Sequence, residues 1–101
     1  MQIIVSIKAH QDIDDIINYF ESKKLEEVAI DFLINFKEIK NLLILHPEIG
    51  SQRFCRILND DSIRYFILKK FDYYIFYKII ENQIVIVRVL SSKRDIFRIF
   101  K

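Results

Sequence analysis

The groups with most chemical capacity in this 101-residue chain are cations in its second half: Arg64, Lys69, Lys70, Arg88, Lys93, Arg94 and Arg98. Guanidinium and ammonium groups bind acidic or phosphate-bearing surfaces, and clustered ones stabilise the charge that builds on a phosphorane. They are the candidate target-binding residues; the plainer account of each is a solvated Lys or Arg on a strand face. Tyr73, Tyr74 and Tyr77 lie among them, side chains of the kind that stack on bases in RNA readers. Strand alternation puts Tyr73 and Tyr77 on one side with Ile75, and Tyr74 with Phe76 on the other, a pattern that also fits core packing with wet hydroxyls. The acids Asp12, Asp14, Asp15, Glu26 and Glu27 fall where first helical turns are expected and none joins a histidine. A water-facing helix surface accounts for them better than a metal site.

Other chemistries find little support. Cys55 is the one cysteine, so no internal disulfide forms and a reducing compartment is expected. Neither histidine, His10 nor His46, lies near it in sequence, which favours a half-buried bystander over a nucleophile. There is no Cys/His metal-ligand spacing and no Gly-x-Ser-x-Gly elbow, and a single glycine excludes a phosphate-cradling loop. No cofactor and no metal are expected. No apolar run approaches the roughly 20 residues of a membrane span, and Met1-Gln2-Ile3-Ile4-Val5 lacks the basic start and long apolar stretch of a secretory signal. A cytoplasmic protein without a membrane partner is the expectation.

A formal charge of +2 permits a nucleic-acid partner without arguing for one. Its distribution says more: Asp12 to Glu38 is acid-rich, whereas Lys and Arg outnumber Asp and Glu from Gly50 onward. One end of the molecule is expected to be acidic and the other basic.

The elements that must position these groups read as follows. Gln2 to Lys8 is rich in β-branched residues and predicts a strand. Ile13, Ile16, Ile17 and Phe20 recur at helical spacing, which predicts a helix whose first turn holds Asp12, Asp14 and Asp15. After the polar break Glu21-Ser22-Lys23-Lys24, one apolar stripe (Leu25, Val28, Ala29, Phe32, Leu33, Phe36, Ile39, Leu42, Leu43) predicts a second helix, stopped by Pro47 and followed by a turn at Gly50. So short a break makes the pair antiparallel. Three strand-like runs follow: Ile63 to Lys70, Tyr73 to Ile80 and Ile84 to Leu90, with breaks at Asp72 and Glu81-Asn82-Gln83. In the last run Ile84, Ile86 and Arg88 should face one way and Val85, Val87 and Val89 the other. Lys69, Lys78 and Arg88 should lie near an open face or rim. Ser92 with Asp95 three residues on resembles a helix start, and Ile96, Phe97, Ile99 and Phe100 make a short amphipathic turn, with a strand as the alternative for this tail through Lys101. The expectation is therefore one α+β domain over residues 1–101. In it an N-terminal strand and a two-helix antiparallel hairpin pack on a small antiparallel sheet.

Four local patterns occur in that order: Ala9-x-x-Asp12-Ile13-x-x-Ile16-x-x-Tyr19; His46-Pro47-Glu48-Ile49-Gly50; Phe71-Asp72-Tyr73-Tyr74-Ile75-Phe76-Tyr77-Lys78-Ile79; and Ile86-Val87-Arg88-Val89-Leu90 running into Ser91-Ser92-Lys93-Arg94-Asp95. Together they resemble the RelE/ParE toxin superfamily of bacterial type II toxin–antitoxin systems over almost the whole chain. The resemblance implies a growth-arresting protein neutralised by a cognate antitoxin in a hetero-oligomer. Exposed sheet edges and apolar grooves would suit strand addition and helix docking by such a partner.

The superfamily divides by mechanism. RelE-like members cut messenger RNA on the ribosome, using clustered Lys and Arg, an Arg on the middle strand and a Tyr near the C-terminus. Here the middle-strand position is Tyr74 and the C-terminal one is Phe100, which has no proton to exchange. Arg94 matches a basic position of those nucleases; Lys93, Lys69 and Lys70 would complete a catalytic set if the chain were one of them. ParE-like members bind DNA gyrase without cutting RNA. The Pro-Glu-Ile-Gly turn and the Phe-x-Tyr-Tyr-Ile-Phe-Tyr strand resemble that branch more, although Ser91 stands where its members tend to carry a His. The favoured expectation is a non-enzymatic, gyrase-directed toxin. The alternatives are a ribosome-dependent mRNA endonuclease and an inactive or retargeted module of the same fold.

Overall fold

The computed structural model describes residues 1–100; Lys101, the end of the expected tail, lies outside them. Strand β1 (Gln2–Val5) runs into helix α1 (Ile7–Ser22), which is followed by α2 (Glu26–Leu45), a one-turn helix α3 (Cys55–Leu58), strands β2 (Arg64–Leu68), β3 (Tyr73–Ile80) and β4 (Gln83–Ser91), and a last short helix α4 (Ile96–Phe100). The first helix starts five residues before the position expected from Asp12. Ser6 explains the shift: its Oγ accepts from Ala9 N–H at 3.1 Å and caps the helix, so the β-branched run ends at Val5. Asp12 therefore sits in the second turn. At the other end Leu25 N–H reaches back to the Phe20 carbonyl at 2.8 Å, and Lys24 takes the left-handed conformation usually given to glycine.

The sheet has the order β1-β4-β3-β2, and it is mixed: β1 pairs parallel with β4, from Gln2 opposite Gln83 to Val5 opposite Ile86. The strand expected to accompany the helical hairpin thus joins the sheet as an edge. β2–β3 and β3–β4 are antiparallel, and Glu81 and Asn82 form the two-residue turn between the last two with φ of 47° and 63°.

The helical hairpin covers one face. Ala9, Ile13 and Ile16 from α1 and Phe32, Phe36 and Leu43 from α2 bury against Leu68, Ile75, Tyr77, Ile84, Ile86 and Val89. The contact stripe of α2 is narrower than its apolar pattern. Leu25 precedes the helix and Leu33 lies on its flank, and both are exposed, as are Ile30 and Ile34. The second face is not open. Ile63, Phe76, Leu90 and Ile96 form a smaller core there, flanked by Phe54 just before α3, Leu58 of α3, Tyr65 and Tyr74 of the strands, and Ile99 and Phe100 of α4. A strand with aromatic residues on both sides exposes too much apolar area to leave one side wet.

Alternation along β4 breaks at a bulge. Tyr77 pairs with Ile86 and Phe76 with Arg88, so Val87 is left over on β4. Beyond it every side chain changes face, which sends Val89 into the helix-side core with Ile84 and Ile86, where simple alternation placed it opposite them.

The turn after α2 is held from the sheet. The Tyr77 hydroxyl accepts from Gly50 N–H at 2.7 Å and donates to the Pro47 carbonyl at 2.8 Å, while Arg64 donates to the Glu48 and Gly50 carbonyls at 3.0 Å each. A Cβ on residue 50 would lie 2.6 Å from a Tyr77 ring carbon, so the one glycine is fixed by a close approach. Burial pushes the Tyr77 phenol above its ordinary value, and the Gly50 N–H draws it partway back. On the second face Lys78 pairs with Asp60 at 2.6 Å. Lys78, helped by Ser62, lowers the Asp60 carboxyl to about 2.

Tyr77→Phe should cost about 1–3 kcal/mol in urea unfolding, because it strands a buried N–H. Asp60 has a folded pKa below its unfolded one. Its contribution is therefore whole above about pH 4 and is lost as pH falls toward 2. Since the pair is partly wet, Asp60→Asn should remove about 1 kcal/mol at pH 7 and flatten the acid limb of a stability–pH curve by that amount.

Candidate target-binding site

Two loops meet at one end of the sheet. The β2–β3 turn carries Lys69, Lys70 and Asp72, and its geometry is set by Asp72 in the left-handed region, with Asp72 N–H on the Leu68 carbonyl at 2.8 Å. The β4–α4 connection carries Lys93 and Arg94. Ser92 N–H binds the Asp72 carbonyl at 3.0 Å and ties the two loops together. Within the second loop Lys93 N–H binds Ser91 Oγ at 3.2 Å and Arg94 N–H binds the Ser91 carbonyl at 3.1 Å. Asp95, not Ser92, caps α4: its carboxylate accepts from Arg98 N–H at 3.3 Å.

The seven expected cations therefore separate. Lys69, Lys70, Lys93 and Arg94 come together on the tied loops, and all four are exposed. Lys69, Lys93 and Arg94 form no ion pair among the described residues, and Lys70 reaches only an exposed Asp31 at 3.5 Å. Arg98, on α4, lies 3.6 Å from Asp95 with both side chains wet. Arg64 and Arg88 are occupied elsewhere. Arg64 holds the turn after α2, and Arg88, expected near an open face or rim, is only 18% exposed and clasps Asp12 of α1 with Nε and Nη2 at 2.8 and 2.9 Å. Asp12 holds the Arg88 guanidinium in its charged form.

A crevice of about 170 Å³ opens beside Arg94, lined by Asp12, Asp15, Ile16, Tyr73, Val89 and Ser91. Burial raises the Tyr73 phenol above its ordinary value; Tyr19 adds to the rise and Arg94 opposes it. The phenol is thus held protonated next to a fixed cation, a hydrogen-bond donor beside a charge. Tyr74 lies on the other face, its ring 4.9 Å from Tyr65 and 5.6 Å from Phe54, and Phe100 packs on Phe76 at 4.9 Å. The two positions that the sequence resemblance compared with a nuclease Arg and Tyr, Tyr74 and Phe100, are both in this apolar cluster.

The acidic and basic regions do not fall at opposite ends. Phe71 of the β2–β3 turn packs on Phe20 of α1 and Phe32 of α2, and Asp31 of α2 meets Lys70, so the acid-rich hairpin abuts the cationic loops. Sequence reasoning had no signal for this, because charge runs carry no three-dimensional register. It also missed a groove of about 370 Å³ where α1 and α2 diverge, lined by Val5, His10, Ile13, Leu33, Phe36, Lys37 and Lys40. No group of three or more metal-ligating side chains comes together among the described residues, and no helix there is long and apolar enough to cross a membrane.

This strand, helical hairpin and twisted sheet superpose with a TM-score of 0.74 on a solved chain described as the chromosomal ParDE toxin–antitoxin system from P. aeruginosa, at 19% identity over 90% of this chain and 95% of that one. No curated protein sequence matches. A family profile described as ParE toxin of type II toxin–antitoxin system, parDE, matches residues 3–96. The chain belongs to the ParE toxin family.

Since Arg94 is exposed and unpaired, Arg94→Ala should leave the thermal midpoint within about 2–3 °C of the parent, a surface change worth no more than about 0.5 kcal/mol. Thermal melts followed by circular dichroism would read this directly.

Proposed function

We propose that this toxin arrests growth in the cytoplasm by binding DNA gyrase through the tied loops around Arg94, without cutting RNA, and that a cognate antitoxin neutralises it. The carrying observation is that Tyr74 and Phe100 both pack in the aromatic cluster of the second face. General acid–base cleavage of a phosphodiester needs proton carriers on both sides of the reacting phosphate. Phe100 has no proton to exchange, and the Tyr74 phenol cannot replace a fixed guanidinium charge. What the Arg94 end offers is fixed charge and hydrogen-bond donors, which suits occupation of a macromolecular surface. Lys69, Lys70 and Lys93 add charge to that contact and Arg98 extends it along α4; Arg64 and Arg88 support it from inside the fold. The isolated chain should block supercoiling by purified gyrase, and Arg94→Ala should raise the half-inhibitory concentration at least tenfold. Absence of inhibition at micromolar toxin would overturn the reading.

Ribosome-dependent RNA cleavage keeps one point in its favour, the protonated Tyr73 phenol in the same crevice as Arg94. Primer extension on a message translated in a cell-free extract separates the two: discrete cuts lost in Arg94→Ala would establish the nuclease and displace gyrase.

For the antitoxin, the α1–α2 groove offers an apolar floor of Val5, Ile13, Leu33 and Phe36 rimmed by His10, Lys37 and Lys40. An amphipathic helix with acids flanking its apolar stripe complements that surface. Leu33→Asp should weaken antitoxin binding at least tenfold by calorimetry while gyrase inhibition stays intact. Equal affinity in that variant would place the antitoxin elsewhere.

A further inference from the structure

We propose that Asp12 is the positioning residue for Arg94: by holding β4 in its bulged register, it determines how the Ser91–Arg94 loop leaves the sheet. This rests on the reading that the Arg94 end meets the target.

β1 is four residues long, and just past it Ser6 makes the last ties to β4, its N–H on the Ile86 carbonyl at 2.9 Å and its Oγ donating to the Val87 carbonyl at 3.1 Å. Past that point β4 has no strand on this side, and Val89 N–H needs another acceptor. Asp12 provides it at 2.9 Å, while the same carboxylate takes both donors of Arg88. Its side chain is only 11% exposed, and all of its partners lie immediately past the extra residue Val87.

That location gives the contact a specific consequence. A one-residue change of register reverses every side chain beyond it. Ile84, Val85, Ile86 and Val87 are all β-branched and apolar, so the run before the bulge sets no preference between the two phases. Asp12 on α1 engages Arg88 and Val89 together in the bulged one. In that phase Val89 enters the helix-side core, and Tyr73 opposite Ser91 places the crevice wall next to Arg94. Asp12 is itself part of that wall. The clasp thus links α1, the register of β4 and the exit of the loop that presents Arg94.

The test is a double-mutant cycle on the full chain with two readouts. Asp12→Ala and the milder Asp12→Asn, which keeps an acceptor for Val89 N–H and so guards against misfolding, are each made alone and with Arg94→Ala. Amide hydrogen exchange should rise at least tenfold at Val89, Ser92 and Arg94 in Asp12→Ala, and less in Asp12→Asn, with Ile75 and Tyr77 amides in β3 unchanged. Inhibition of gyrase supercoiling should fall at least tenfold in Asp12→Ala, yet show no further fall when Asp12→Ala is added to Arg94→Ala. Unchanged exchange at Ser92 and Arg94 would overturn the proposal. So would an Asp12→Ala loss of equal size in both backgrounds, which marks general destabilisation. If Arg94→Ala inhibits like the parent, the target reading fails, and the exchange data alone then decide whether Asp12 sets the loop.

Discussion

The structure depends on β3 being buried on both sides. Ile75 and Tyr77 are completely inaccessible on the helix side, and Phe76 is so on the other. A strand with that character cannot stand at an edge or face water, and its burial requires a neighbour strand on each flank and a cover on each face. β2 and β4 supply the flanks, the α1–α2 hairpin one cover, and the short helices α3 and α4 the other. The second cover is thin, which is why it is built from large rings: Phe54, Tyr65, Tyr74, Phe76 and Phe100 fill with aromatic area what a longer helix would fill with many smaller side chains.

Much of this was legible because it is local. The bounds of β3, its two faces and the antiparallel helical hairpin all follow from periodicity within a dozen residues. The parts that were not legible have long-range or very short causes. Parallel pairing of residues 2–5 with 83–86 leaves no trace in either segment, and α3 is too short to show a period. The bulge at Val87 is invisible because its neighbours are interchangeable in hydropathy, so face assignment past it failed for Val89. Arg88 looked like one more basic residue on a strand, since its partner Asp12 is 76 positions away. The four clustered cations of the candidate site were legible as types and only the fold could separate them from Arg64 and Arg88.

That separation matters for function. A sum of charges makes the whole second half of the chain look like a binding surface. Geometry gathers four of the cations on two loops joined by one backbone hydrogen bond, where Lys69, Lys93 and Arg94 form no ion pair among the described residues and Lys70 meets only an exposed Asp31. Arg64 and Arg88 instead support the turn after α2 and the bend in β4. Buried or half-buried guanidinium groups are suited to such roles, since bidentate pairing recovers the desolvation that a single contact would not.

The two faces of the sheet then carry different tasks for a physical reason. A surface that cleaves RNA must keep titratable groups wet and adjustable, whereas a surface that secures a thin cover must exclude water. On the second face the ring cluster has taken the latter course, and Tyr74 and Phe100 are committed to packing. Charge is left at the sheet end, where loops rather than strands present it and where a macromolecule can approach without displacing any core residue. The packed rings of the second face thereby stabilise the sheet at whose end the Arg94 loop leaves β4.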